Sequence, residues 1–115
     1  MIDISVNEVC SFIETELKAD RFIHRNFVRQ CETMRDLILD LKTNEQLSNP
    51  ECLTLLSAIA YFILEPDQHQ RVLLVINSYE EIISDAFRAS FEIAALLGAQ
   101  NDNHCLSQDS MLTSY

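Results

Sequence analysis

Apolar residues in the first part of the chain recur at intervals of three and four, which is the spacing of one face of a helix. Ser5 and Glu8 have the spacing of a capping box. A helix is therefore predicted over 6–18, and a second, longer series predicts a helix over 21–42. The apolar positions of the two series are Val6, Val9, Cys10, Ile13 and Leu17, then Ile23, Phe27, Cys31, Met34, Ile38 and Leu41.

A third helix is predicted over about 50–65. Asn49 before Pro50 is typical of a cap followed by a first-turn proline. Pro66 cannot donate the backbone hydrogen bond that a continuing helix needs, so the helix should end near Glu65. Between Cys52 and Leu64 only two residues are polar, Thr54 and Ser57. A helix without a polar face has to be surrounded by others, so we expect this one to be central.

The second half of the chain contains one further long helix. The short run Val72 to Ile76 has no second strand to pair with, which favours a packed helical turn over a strand. Ser78 and Glu81 have capping-box spacing and predict the start of the last helix, and Gly98 is well placed to end it. Its expected buried face consists of Ile82, Ile83, Ala86, Phe87, Ser90, Ile93, Ala94 and Leu97.

Composition supports the same class of fold. Hydrophobic residues make up 48% of the 115 residues, glycine occurs once and proline twice, which favours long helices over turn-rich sheet. We predict an all-α compact bundle of four to five helices around the central helix, forming one domain over 1–100. Residues 101–115 are polar and without period, and are predicted to be a mobile tail.

The charge of the chain limits the classes of molecule that it is expected to bind. The formal net charge is -10, and residues 43–115 carry ten acidic and two basic side chains. Affinity for nucleic acid rests on basic contacts to phosphate, so direct binding of nucleic acid is not expected and a basic protein partner is favoured. No apolar run reaches the length of about 18 residues typical of a membrane span, and the first residues lack the pattern of a signal peptide. A cytoplasmic location is expected.

Six carboxylates in the second half are the candidate partner-binding residues. Four of them give the last helix an acidic outer face, and two lie on the turn before it. A solvated surface that also suits the helix macrodipole is the simpler interpretation, but the acidity exceeds what solubility requires. The candidates are Glu65, Asp67, Glu80, Glu81, Asp85 and Glu92.

A basic stripe is predicted in the first half. Arg21, Arg25 and Arg29 are spaced four residues apart, with His24 beside them. On a helix they would form one row, which could bind phosphate or carboxylates through bidentate hydrogen bonds. The simpler interpretation is a solvated face whose ion pairs contribute little to stability.

Signs of catalysis are weak. Glu65, Asp67 and His69 flank Pro66 and could be imagined as metal ligands, although a polar turn explains them as well. The four cysteines form no C-x-x-C pair, and those at 10, 31 and 52 are predicted to be buried, reduced thiols. The chain also lacks a glycine-rich phosphate loop. We therefore expect no enzymatic activity, cofactor or metal.

The segment from Ala58 to Asp85 resembles the YkvA-like family of small helical bacterial domains, whose function is not established. The resemblance rests on an Ala-x-x-Tyr-Phe helix end at 58–62, then Pro66 and Asp67, then an acidic pair at 80–81. The chain departs from the family pattern in lacking a second aspartate and further prolines, and in having Asn77 where glycine is common. The resemblance implies a helix–turn–helix core and adds little about function.

These features leave three functional hypotheses. The leading one is a cytoplasmic, non-enzymatic acidic protein that occludes a basic partner, most concretely a bacterial immunity protein or inhibitor of a nuclease-type toxin. The second is a structural or assembly protein that self-associates through apolar residues expected to be exposed, such as Phe22, Phe91 and Leu47. The third is a metal-dependent enzyme using Glu65, Asp67 and His69.

Overall fold

The computed structural model of the protein describes residues 5–19 and 24–98, which form an all-α bundle. No strand occurs within these ranges, so the predicted class is confirmed. Residues 21–23 of the predicted second helix and the predicted tail over 101–115 lie outside the described residues. The elements are α1 (Val6–Lys18), α2 (Arg25–Thr43), α3 (Asn49–Leu64), a 3-10 turn (Pro66–Gln68), α4 (His69–Asn77) and α5 (85–98).

Capping boxes start both α1 and α3. In α1 the backbone N–H of Glu8 donates to Ser5 Oγ at 3.2 Å, and the N–H of Ser5 donates to Glu8 Oε1 at 3.2 Å. In α3 the same reciprocal pair joins Ser48 and Glu51, at 3.3 and 2.9 Å. The cap of α3 is therefore Ser48, and the prediction of Asn49 was wrong. A hydroxyl at 48 satisfies the N–H of Glu51 while the carboxylate of Glu51 returns to the N–H of Ser48.

The start of α2 was predicted too early. His24 has an extended backbone, with φ -94° and ψ 108°, and α2 begins at Arg25. His24 makes no capping hydrogen bond through its side chain. The basic stripe was predicted on a helix that includes position 24. Because the helix begins only at Arg25, the predicted row does not continue through His24.

A Schellman turn ends α2 and buries Leu47. The N–H of Gln46 donates to the carbonyl of Leu41 at 2.8 Å, and the N–H of Glu45 to that of Lys42 at 3.0 Å. Glu45 has φ 60°, a left-handed conformation that is uncommon for a residue with a side chain. The reversal turns Leu47 inward, where 4% of it is exposed. The expectation that Leu47 is an exposed apolar residue was wrong for this reason.

α3 is the central helix, as predicted. It packs against α1, α2 and α4. One stripe of it nevertheless reaches the surface, so the expectation that no face of this helix would be exposed was wrong. The residues of the stripe are spaced three and four apart and therefore form a single row along the helix. The exposed stripe consists of Thr54, Ser57, Tyr61 and Leu64, and the buried residues are Cys52, Leu55, Leu56, Ile59, Ala60, Phe62 and Ile63.

The last helix begins later than predicted. Ser78 does not cap it, since the Ser78 hydroxyl donates instead to the carbonyl of Val75 at 2.6 Å. Residues 78–82 form a turn, and the N–H of Phe87 donates to Ser84 Oγ at 3.2 Å. α5 therefore starts at Asp85 with Ser84 as its cap. The run from Val72 to Ile76 is helical, as predicted.

The buried face of α5 includes half of the eight predicted residues but is shifted toward Phe91. Ile93 is 41% exposed, whereas Phe91 is 3% exposed with its ring 5.1 Å from that of Phe62. Apolar residues occur around most of α5, so periodicity alone leaves two faces in competition, and the bulky aromatic rings fill the core. The expectation that Phe91 is exposed was wrong. The buried residues next to and on α5 are Ile83, Phe87, Ser90, Phe91, Ala94 and Gly98.

Gly98 brings the far end of α5 against the start of the 3-10 turn. A Cβ at position 98 would lie 2.8 Å from Pro66 Cβ and 3.0 Å from Phe27 Cε1. These are contacts too short for an added methyl group, and the first of them is with an atom close to the backbone. Close approach of α5 to the rest of the bundle therefore requires glycine here.

Gly98→Ala should lower the free energy of unfolding by up to about 2 kcal/mol net. Overpacking typically costs about 1 to 3 kcal/mol, against a gain of about 1 kcal/mol from helix propensity. Urea denaturation measures the difference. Ala89→Gly, at an exposed position of the same helix, calibrates the propensity effect and should cost about 1 kcal/mol. A stabilised Gly98→Ala variant would show that the contacts with Pro66 and Phe27 relax freely.

Candidate functional site

The six predicted partner-binding carboxylates are all exposed, and we call them the acidic surface. All of them follow α3 in the chain, on the turns and helices between 65 and 98. They are Glu65, Asp67, Glu80, Glu81, Asp85 and Glu92.

α4 separates the acidic surface into two groups. Glu65 and Asp67 lie just before α4, whereas Glu80 and Glu81 lie in the turn that follows it. A helix of 9 residues spans roughly 13 Å, so no single cluster of carboxylates forms. The arrangement is suited to an extended contact with several cations of a partner.

α5 runs back along α4 and completes the acidic surface. One end is fixed by the hydrogen bond from Arg88 Nη1 to Asn77 Oδ1 at 3.2 Å, and the other by the contact of Gly98 with Pro66. Asp85 is the first residue of α5, and Glu92 follows two turns later on the same side. The carboxylates therefore occur along the α4–α5 hairpin from one end to the other.

Arg88 interrupts this surface, and the sequence analysis missed it. Arg88 Nη2 lies 4.0 Å from Glu80 Oε2. It follows Asp85 by three residues and precedes Glu92 by four, so the three side chains share a side of α5. That spacing was readable in the sequence. Residues 65–98 contain the six carboxylates, Arg71 and Arg88, a net charge of -4 with histidine neutral.

The predicted basic stripe is only partly described by the structure. Arg25 and Arg29 lie on α2 and are exposed, and no carboxylate within 5–19 and 24–98 forms a salt bridge with either. Arg21 lies outside the described residues. α2 as a whole carries four basic and three acidic side chains, a net charge of +1.

Glu65, Asp67 and His69 do not form a metal site. Over the described part of the chain, no group of three His, Cys, Asp or Glu side chains is placed to hold a metal ion. The 3-10 turn directs the two carboxylates to solvent, while His69 Nδ1 is buried and has no hydrogen-bond partner. The three candidate ligands therefore do not converge, which removes the geometry on which the metal-dependent hypothesis depended.

The described cysteines are free thiols with little nucleophilic character. Cys31 and Cys52 are buried as predicted, whereas Cys10 is only half-buried, because it lies at the edge of the α1 apolar face. Burial raises the pKa of all three thiols, most strongly at Cys31, where the carboxylate of Glu32 adds to the effect. A raised pKa lowers the fraction of thiolate at neutral pH, and the thiolate is the reactive species.

The thiols should differ in their reaction with iodoacetamide at about pH 8. We expect Cys10 to be alkylated faster than Cys31 and Cys52, since its sulfur is more accessible and its pKa less raised than that of Cys31. Mass spectrometry of peptides measures the rates, and the same reaction in urea should remove the differences. Alkylation of Cys31 in the folded protein as fast as that of Cys10 would contradict this.

Comparisons with known proteins give no relative. No protein-family model, curated protein or solved structure matches the chain. The resemblance of residues 58–85 to the YkvA-like family therefore stays a prediction. A search of the described helices for a membrane span found none that is both long and apolar enough.

The exposed apolar residues are not those that the self-association hypothesis named. Phe91 and Leu47 are buried, and Phe22 lies outside the described residues. The structure exposes a different set, part of it on α1 and α3 and part on α4 and α5. Its members are Phe12, Tyr61, Leu64, Leu74, Ile93 and Leu96.

Proposed function

We propose that this chain is a non-enzymatic acidic binding protein of the cytoplasm that occludes a basic protein partner. Its most specific form is an immunity protein or inhibitor of a bacterial nuclease-type toxin. The acidic surface along the α4–α5 hairpin is the proposed contact.

The observation that carries the proposal is that the carboxylates of the acidic surface are exposed and almost unpaired. Of the six, only Glu80 lies within 4.0 Å of a cationic nitrogen, that of Arg88, among the described residues. A free carboxylate can accept bidentate hydrogen bonds from a partner's arginine without first breaking an internal pair. Carboxylates that stabilised the fold through ion pairs would have such internal partners.

Long-range electrostatics supports the same interpretation. The net charge of -10 attracts cations over distances of about 10 Å at ordinary ionic strength. Attraction of this kind accelerates the encounter of oppositely charged proteins. A nuclease presents a basic cleft to the phosphates of its substrate, so a row of carboxylates on a rigid helical hairpin is suited to block it.

Affinity capture with two matched baits tests the proposal. The first bait is the wild-type chain, and the second carries Glu80→Lys, Glu81→Lys and Asp85→Lys. We expect the wild-type bait to retain from its native cell a protein with an isoelectric point above about 9, which the reversed bait loses. Retention of the same proteins by both baits, or only of acidic ones, would show that the acidic surface is not the contact.

A further inference from the structure

An apolar groove lies between α1 and α3, next to the Glu65 end of the acidic surface. Its volume is about 450 Å³. Phe12, Tyr61 and Leu64 line it and are 40%, 36% and 45% exposed, which is unusual for large apolar side chains standing together. The complete lining is Glu8, Val9, Phe12, Ser57, Ala60, Tyr61 and Leu64.

The shape of the groove suits one face of a helix. Val9 and Ala60 are each 8% exposed and form a floor of small side chains, whereas Phe12 and Leu64 stand higher on the two helices. Two packed helices leave a furrow between them, and an amphipathic helix can place apolar side chains at i, i+3 or i+4, and i+7 into such a furrow. The exposed stripe of α3 forms one wall of the groove along the second half of that helix.

The charges around the groove identify the occupant. α1, α3 and Glu65 together contain five carboxylates and one cation, Lys18, whose Nζ is 3.3 Å from Glu14. Glu8 lines the groove itself, and its lining includes no basic residue. A second copy of the chain would bring the same charge of -10 and be repelled. We propose that the groove binds an amphipathic helical segment whose polar face carries lysine or arginine.

The groove is continuous with the acidic surface. Leu64 closes α3, Glu65 follows it directly, and Asp67 lies in the 3-10 turn. A single partner can therefore place apolar side chains in the groove and cations against Glu65 and Asp67. The inference rests on the proposed function in that the bound segment belongs to the basic partner, and it adds that this partner presents a helix.

A titration with a synthetic peptide tests the groove. The probe is a helical peptide of about 18 residues made of leucine and lysine with its leucines on one face, and the control has the same composition in scrambled order. The full chain labelled with ¹⁵N is observed by NMR. We expect the amphipathic peptide to shift the backbone amides of 8–12 and 57–64, and the scrambled peptide to shift them less.

Two matched variants separate the groove from unspecific attraction. Leu64→Gln should weaken binding of the amphipathic peptide by about tenfold, because a leucine of the groove would lose its contact with the peptide. Leu74→Gln changes the same residue type at a position that is 73% exposed on α4, and should leave the affinity unchanged. Neither substitution changes the charge, and circular dichroism checks that both variants are folded.

The outcomes distinguish this inference from the proposed function. Amide shifts confined to 80–92, with equal affinities for the two variants, would overturn the groove and leave the acidic surface standing. Shifts at the groove, with loss of binding in Leu64→Gln but no effect of Glu80→Lys, Glu81→Lys and Asp85→Lys, would support the groove and contradict the acidic surface as the contact.

Two other occupants would also overturn the inference. Dimerisation of the chain without peptide, measured by sedimentation equilibrium and lost in Leu64→Gln, would show that a second copy fills the groove. Shifts of the groove amides on deletion of residues 99–115, before peptide is added, would show that the chain's own segment fills it.

Discussion

Phe62→Ala should lower the free energy of unfolding by about 3 to 5 kcal/mol, which is a large part of the stability of a domain of this size. Phe62 is fully buried on α3. Its ring lies 5.6 Å from that of Phe27 on α2 and 5.1 Å from that of Phe91 on α5. Alanine would leave a cavity where three helices meet and would also remove two tilted aromatic contacts, each contributing about 0.5 to 1.5 kcal/mol.

Tyr61→Ala is the matched control for this prediction. Tyr61 precedes Phe62 on the same helix and is 36% exposed, so its truncation should cost less than about 1.5 kcal/mol. Urea denaturation of both variants measures the difference. Equal losses would mean that the aromatic cluster does not organise the core, and the assignment of α3 as the central helix would have to be reconsidered.

Simultaneous replacement of Glu80, Glu81 and Asp85 by lysine should slow association with the captured basic partner by about tenfold or more at low salt. The substitutions remove three carboxylates and add three cations in the turn before α5 and at its first residue, which changes the charge of residues 65–98 from -4 to +2 and weakens the attraction that guides the encounter. The difference from the wild type should shrink as ionic strength rises, because salt screens exposed charges. Stopped-flow association rates over a range of salt concentrations measure it.

A second charge reversal controls for the change in net charge. Glu32, Asp40 and Glu45 are exposed on α2 and in the turn after it. Replacing them by lysine gives the same net charge as the first variant at positions outside the α4–α5 hairpin. The association rate should fall less. Equal slowing in the two variants would show that only the total charge matters, and the acidic surface would no longer be assigned as the contact.

The groove and the acidic surface should differ in kinetic signature. Loss of exposed charge acts mainly on the rate of association and depends on salt, whereas loss of an apolar anchor acts mainly on the rate of dissociation. Leu64→Gln should therefore accelerate dissociation at every ionic strength. Comparing it with the charge variants in one series of measurements tells the two surfaces apart even though they adjoin at Glu65.

Local interactions determined what could be predicted. The bounds of α1 follow from Ser5 and Glu8 together with the apolar period, and the end of α3 follows from Pro66, because each signal acts within one helical turn. The low glycine content and the apolar run between Cys52 and Leu64 were enough to predict an all-α bundle around a central helix. The exposure of the six carboxylates follows from the cost of burying unpaired charge.

The tertiary structure decided the rest. Ser78 and Ser84 are both possible caps by residue type, and the structure uses Ser84. Phe91 enters the core in place of Ile93 because its ring packs against Phe62 of α3, and two faces of similar apolarity cannot be ranked from periodicity. The burial of Leu47 depends on the chain reversal at Glu45, which has a left-handed backbone conformation. Glycine is the usual sequence signal for that conformation, and position 45 is not glycine. The groove exists only because α1 and α3, distant in sequence, pack side by side, and burial is a property of such neighbours and not of a residue's own type.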